Sequence, residues 1–280
     1  MSTSPTALNV QHLAVEYPKR LRNPARRVID DVSFSIPVGR TLALVGESGS
    51  GKSTIGKAIL GLAPITAGSI VLGSRDITTL PLRRRREVAS QLQAVFQNPF
   101  GSLNPALTIA QSLAEPIRAI EAVSAAEIRS RCAEVIERVG LPVDALRRYP
   151  AEFSGGQRQR IAIARAAVMR PGVIVCDEPT SALDVTTQAK VLTLLADLQS
   201  SLGVSYLFIT HDLAVVREFA HQTMVLDGGR IVESGETVSL CDRPQHPYTQ
   251  ALVAAAPVPD PVVQRRRREE RLRRQEEDAA

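Results

Sequence analysis

The sequence predicts an α/β core with a helical insertion, and three observations predict it. An apolar strand near residue 45 runs into a Gly-rich turn and then a helix. The middle third carries helical periodicity, and the last third alternates strands with helices.

In chain order, the first third reads as strands. Leu8 to Tyr17 alternates roughly between apolar and polar, Val32 to Ile36 alternates cleanly, and Thr41 to Val45 is apolar before the turn. Ile70-Val71-Leu72 is a further strand, set off by Gly68 and Gly73. In the middle third, Ser124 followed by Glu127 predicts a capping box, after which Ile128, Cys132, Val135, Ile136 and Val139 fall on one helix face. Gly140 and Pro142 end that helix, and Cys132 belongs to its core stripe. Val173 to Cys176 is all apolar, as in a strand buried on both faces of a parallel sheet. A helix over Val185 to Leu202 closes at Gly203, Ser205 to Thr210 is a strand, and Met224 to Val232 is a hairpin turning at Gly228-Gly229. No internal repeat is visible.

The bulk numbers narrow the class. The chain has 280 residues, 44% hydrophobic and 22% charged, which describes a globular protein with a real core. No apolar run reaches the ~18 residues that span a bilayer. Met1 to Val10 lacks the basic-then-apolar pattern of an export signal. Cys132, Cys176 and Cys241 are dispersed and odd in number, so they predict buried thiols in a reducing compartment. Much of the basic excess behind the net charge of +5 sits at Arg83 to Arg86 and from Arg265 onward. In that tail, seven Arg mix with five acidic residues, and Glu269–Arg273 and Glu270–Arg274 sit at i,i+4. Such mixing suits a solvated helix better than a nucleic-acid arm.

Gly46-Glu47-Ser48-Gly49-Ser50-Gly51-Lys52-Ser53 fits G-x-x-x-x-G-K-[ST] at every fixed position, between a strand and a helix. Glycines let backbone amides converge on phosphate oxygens, and the helix terminus adds partial positive charge. Lys52 then reaches β- and γ-phosphates, and Ser53 ligates Mg²⁺. Further on, the strand Val173–Cys176 ends in Asp177 and Glu178. Asp177 suits the outer shell of Mg²⁺, and Glu178 suits a base that polarises water toward the γ-phosphate. Between the two motifs, Ser154-Gly155-Gly156-Gln157 caps a second helix and offers a second anion-binding terminus.

Phe153-Ser154-Gly155-Gly156-Gln157 after such a loop resembles the signature of the ATP-binding cassette family. The rest of that family's set stands in order: Gln97 after Ala94-Val95-Phe96, Ser181-Ala182-Leu183-Asp184 after Glu178, and His211 after a strand. The resemblance covers roughly Leu8 to Val238. It implies a P-loop NTPase core with a mixed sheet, an antiparallel β subdomain and a helical insertion at about 98–165, all within 1–240. An extension over 241–263 and a charged tail over 264–280 follow. It implies a head-to-tail dimer in which Ser154 to Gly156 cap ATP held by the other subunit. It also implies that Thr54 joins the nucleotide site, Gln97 links Mg²⁺ to the insertion, Asp184 spans the dimer interface, and His211 contacts the γ-phosphate. Tyr17 matches the position of an adenine-stacking aromatic.

Asn98 to Pro105 and Arg243 to Leu252 resemble the oligopeptide, dipeptide and nickel importer branch. The partners so implied are a second ATPase subunit, two membrane permease subunits and an extracytoplasmic solute-binding protein, with no nucleic acid. The location implied is the cytoplasmic face of the membrane. Some members carry a cysteine cluster near the C-terminus, where this chain has Cys241 alone, so no iron–sulfur cluster is expected. His246-Pro247-Tyr248 is expected to gain order by packing on this subunit's own core or on its neighbour's in the assembled pair. The competing readings are a nickel or glutathione importer, a soluble cassette ATPase, and a basic nucleic-acid-binding module. A steep salt dependence of DNA binding would mark the last.

Overall fold

The computed structural model describes residues 5–18, 25–97, 101 and 103–255. The chain begins with β1 (Thr6–Tyr17), β2 (Arg26–Pro37) and β3 (Thr41–Val45), then α1 (Lys52–Ile59), β4 (Ile65–Leu72), β5 (Arg75–Asp76) and β6 (Leu92–Val95). The insertion carries α2 (Ile109–Ile120), α3 (Ala125–Arg138) and α4 (Gly155–Ala167). There follow β7 (Val173–Asp177), α5 (Val185–Leu202), β8 (Ser205–Ile209), α6 (Leu213–Phe219), β9 (Gln222–Asp227), β10 (Arg230–Glu236), α7 (Thr237–Asp242) and α8 (Pro247–Ala255).

Two sheets divide the molecule. Strands β2-β1-β4-β5 form an antiparallel sheet, and β10-β9-β3-β8-β7-β6 form a mixed one whose only antiparallel pair among the described strands is β9–β10. The central strands are covered on both faces, and the period of two sorts their side chains. Ile174, Cys176, Tyr206 and Phe208 pack against α2–α5, while Val173, Val175, Leu207 and Ile209 pack against α1 and the antiparallel sheet. Gly56 lets α1 lie close on the sheet, since a Cβ there would stand 3.0 Å from Ile209 Cδ1.

Several elements extend past their sequence-based bounds. β2 begins at Arg26 and β4 at Ile65, because backbone pairing with β1 holds residues whose polarity gives no strand signal. The Ser124 box is half formed. Ser124 Oγ accepts from Glu127 N at 3.1 Å, but the Glu127 carboxylate accepts from Arg131 Nε at 2.7 Å. An arginine one turn on competes better for a carboxylate than the Ser124 amide does. Arg83 to Arg86 form a 3-10 turn in which Arg84 pairs with Glu87, while Arg85 donates to the carbonyls of Ile59, Ile77 and Leu80.

The described part of the C-terminal extension, to Ala255, packs on the molecule's own core. The expected division at residue 240 falls inside α7, whose Leu240 and Cys241 are buried beside Ala43, Val45, Leu213, Val216 and Val225. Tyr248, Leu252 and Val253 of α8 pack on the same cluster. Residues 98–100 and 102 of the peptide-importer resemblance, residues 256–263 of the extension, and the charged tail lie outside the described residues.

Candidate functional site

The turn after β3 bends tightly enough to need glycine. Gly51 has φ 110°, and a Cβ on it would stand 2.6 Å from Ile29 Cδ1 and 3.2 Å from Val28 O. Lys52 lies buried beneath the loop, its Nζ donating to Gly46 O at 2.8 Å and Glu47 O at 2.7 Å. Burial pulls its ammonium below the usual lysine value, against the nearby charges of Glu178, Asp177 and Glu47. Ser50 Oγ is buried in the same loop without a hydrogen-bond partner.

β7 delivers two carboxylates to this loop. Asp177 Oδ1 accepts from Ser53 Oγ at 2.8 Å. Burial raises the Asp177 carboxyl above its usual range, with the Ser53 bond pulling it down and the Glu178 charge adding to the rise. The next residue turns sharply. Glu178 has φ 49°, a left-handed conformation that costs a non-glycine residue about 1 kcal/mol or more, and its N–H is tied to Ile209 O at 2.9 Å. The turn aims the side chain across the ends of β6 and β8. Gln97 Nε2 donates to Glu178 Oε2 at 3.0 Å, and His211 Nδ1 lies 3.2 Å from Glu178 Oε1.

A cleft of about 930 Å³ opens over the loop. It is lined by Ser48, Gly49, Gly51, Lys52, Ser53, Thr54 and Glu178 on one side, and by Tyr17, Pro18, Ala25, Arg26 and Val28 on the other. Tyr17 is 38% exposed at the rim, free to present its ring face. Arg26 and Val28 were not among the expected site residues. Arg26 reaches the cleft only because β2 pairs with β1 in the register Tyr17–Arg26, which no local motif signals.

The second helix terminus stands apart. Ser154 Oγ accepts from Gln157 N at 3.3 Å and Gln157 Oε1 accepts from Ser154 N at 2.9 Å, a complete capping box at the start of α4. Asp184 caps α5, accepting from Thr187 N at 3.0 Å, and the Thr187 hydroxyl and backbone bonds hold its carboxyl below the usual range. Ser154 and Asp184 are exposed, and neither Ser154 to Gln157 nor Asp184 lines the cleft. The sequence-based site thus resolves into two groups. Tyr17, the loop, Asp177, Glu178, Gln97 and His211 converge, whereas Ser154 to Gln157, half-buried beyond the exposed Ser154, and the exposed Asp184 stand apart from the cleft.

Comparison with known proteins supports the fold. Residues 29–181 match the family model for ABC transporters, and residues 232–279 match that for the oligopeptide/dipeptide transporter C-terminal region. A putative peptide import ATP-binding protein of Brucella ovis is 48% identical over 259 residues, spanning 92% of this chain and 81% of that protein. A probable peptide ABC transporter ATP-binding protein of Sinorhizobium fredii is 43% identical over 267 residues, spanning 94% and 76%. A glutathione import ATP-binding protein of Shigella flexneri is 44% identical over 263 residues, 92% of this chain but 42% of that longer one. Among solved structures, the dimeric post-hydrolysis state of an ATP-binding cassette bound to ADP and Pi matches with TM-score 0.73 at 28% identity, over 82% of this chain and 98% of that one. A Clostridium perfringens protein, part of an ABC transporter complex, matches with TM-score 0.75 at 25% identity, over 86% and 92%.

Proposed function

Because the chain belongs to the ABC transporter family, we infer that it hydrolyses ATP to power solute import, of peptides, through partners in the membrane. The observation that carries this reading is the convergence of Lys52, Ser53, Asp177, Gln97 and Glu178 around one phosphate loop. Amides of the loop and of the first turn of α1 receive the phosphates, Lys52 offers its ammonium to the β- and γ-oxygens, and Tyr17 stacks on the base. The concavity lined by Ser48, Gly49, Gly51, Lys52 and Ser53 fits a bound phosphate chain.

The donor set fits Mg²⁺ as well. Ser53 hydroxyl, Gln97 amide and Asp177 carboxylate are hard oxygen donors, and a single carboxylate suits a cation that keeps waters and phosphate oxygens around it. When bound, Mg²⁺ would neutralise charge developing on the transferred phosphoryl group. Glu178 polarises the attacking water and accepts its proton. Gln97 and His211, bonded to its two oxygens, hold that carboxylate in place, and His211 also reaches toward the γ-phosphate.

One chain leaves the site open on its outer side. A second ATPase subunit, the same chain or a related one, closes it head to tail. That partner supplies the Ser154–Gln157 terminus as an anion-binding lid and the Asp184 turn as its interface contact. Closure is passed through the region near Gln97 to two permease subunits, which receive solute from an extracytoplasmic binding protein. No described helix is long and apolar enough to cross a membrane. On the likeness to import ATP-binding proteins, we read the chain as a peripheral subunit at the cytoplasmic face.

Peptides are the favoured cargo because the match at 232–279 is to a peptide-transporter region. Glutathione is the second reading, on the Shigella flexneri relative. The deciding experiment measures Mg²⁺-dependent ATP hydrolysis by the purified chain, and uptake of labelled di- and oligopeptides and of glutathione by cells with and without it. Absence of ATP turnover together with unchanged uptake of all three would end the reading.

A further inference from the structure

We propose that Tyr248 is a positioning residue for the phosphate loop, holding the Glu47 amide in place from the C-terminal helix. The observation is a hydrogen bond spanning 201 residues of sequence: Tyr248 Oη accepts from Glu47 N at 2.9 Å. Glu47 is the second residue of the loop, and its carbonyl accepts from Lys52 Nζ at 2.7 Å and from Ser50 N at 3.2 Å. Gly46 O, which heads the Glu47 peptide unit, also accepts from Lys52 Nζ. The inner side of this turn is therefore fixed by the loop itself, and its outward N–H by Tyr248.

The helix bearing Tyr248 is built to reach this spot. Gln245 N and His246 N donate to Glu233 Oε1 and Oε2 at 2.9 and 3.0 Å, a two-pronged clamp onto β10. Tyr248 N donates to His246 Nδ1 at 3.2 Å and Gln250 N to His246 O at 3.0 Å, starting the helix at that residue. Tyr248 and Leu252 then rest on a cluster containing Ala43 and Val45. These two belong to β3, the strand that leads into the loop, so α8 braces both the strand and its first turn.

The expected consequence is preorganisation. A loop whose outward amide is already bonded has less freedom to lose when phosphates arrive. Glu47 is exposed, so without the hydroxyl its N–H turns to water instead of being left buried and unsatisfied. Loss of the bond is therefore felt as looser loop geometry, in nucleotide affinity more than in the chemical step.

This inference rests on the reading that the loop binds ATP, and its test separates the two. Tyr248→Phe in the full chain keeps the ring and its packing and removes only the oxygen. Site-resolved amide exchange at Glu47 in the nucleotide-free protein should quicken about three- to tenfold, the range expected for one net hydrogen bond. The Kd and KM for Mg-ATP should rise by a similar factor, about three- to tenfold, with kcat within about twofold. Unchanged Glu47 exchange with unchanged ATP affinity overturns the role of Tyr248, as does a fall in kcat with KM unmoved. A parent chain that binds no ATP sinks the functional reading instead, and Glu47 exchange, which needs no nucleotide, still decides for or against Tyr248.

Discussion

Gly156 and Thr187 touch with no room between them: a Cβ built on Gly156, in the first turn of α4, would overlap Thr187 Cγ2, in the first turn of α5. The terminus at Ser154 and the turn at Asp184, assigned to the same interface, are thereby locked to each other within one chain. Gly156→Ala should destabilise the protein by about 1–3 kcal/mol, the usual cost of overpacking. Adding Thr187→Ser removes the offending methyl while keeping a hydroxyl for Asp184, and should restore stability to within about 0.5 kcal/mol of the parent. Urea unfolding of the two variants measures this. A neutral Gly156→Ala would mean that the contact has slack.

Glu178→Gln keeps the side chain's length and its bond from Gln97 Nε2 but cannot take a proton. Hydrolysis should fall by about 10²- to 10⁴-fold, the usual worth of a general base, while ATP binding persists. ATP should then accumulate a dimer, read by size exclusion. Parental turnover in this variant removes Glu178 from its role.

Ser154→Arg places a bulky cation on the exposed terminus assigned to the opposite subunit's nucleotide. The variant should bind ATP as a monomer with parental affinity and fail to hydrolyse it. Loss of the cap costs about 1 kcal/mol, too little to unfold the domain. If monomer affinity drops, Ser154 serves the cleft of its own chain.

His221 makes stability depend on pH. Its Nδ1 accepts from Thr41 N at 3.1 Å, so the folded state needs a neutral ring there. Burial, with Arg40 adding its charge, lowers its pKa below the usual imidazole value. The unfolded chain therefore binds the proton more tightly. His221 contributes stability that is present above the unfolded value and is lost as pH falls through the folded one. His221→Asn can still accept the bond but does not titrate. The melting temperature of the parent should fall relative to that of the variant between pH about 7.5 and about 5.5. Parallel curves would refute the assignment.

The site was far more legible in the sequence than the joints around it. Lys52, Ser53, Asp177 and Glu178 stand out because a Gly-rich loop between strand and helix, and two carboxylates closing an apolar strand, are local patterns. Val173 to Cys176, Val185 to Gly203 and the Gly228-Gly229 turn were readable because burial period and backbone sign are local properties. The left-handed Glu178 was not, since nothing nearby in sequence marks a glutamate held by Ile209 O. Nor was Arg26 beside Tyr17, or the Tyr248 hydroxyl on Glu47, because each depends on how distant elements meet. Tyr248 was expected to matter for its apolar ring, and its oxygen proved to be the atom that reaches the loop.

The hold of Gly46 O and Glu47 O on Lys52 has a consequence for the end of each cycle. An ammonium stripped of phosphate would ordinarily have to be rehydrated inside a narrow turn, which would slow departure of the product. Here two carbonyls take the place of that water. If Lys52 grips phosphate as proposed, they would compete with it for the same three protons, so the loop would carry its own displacer of the spent nucleotide. Such an arrangement would trade some affinity for faster exchange.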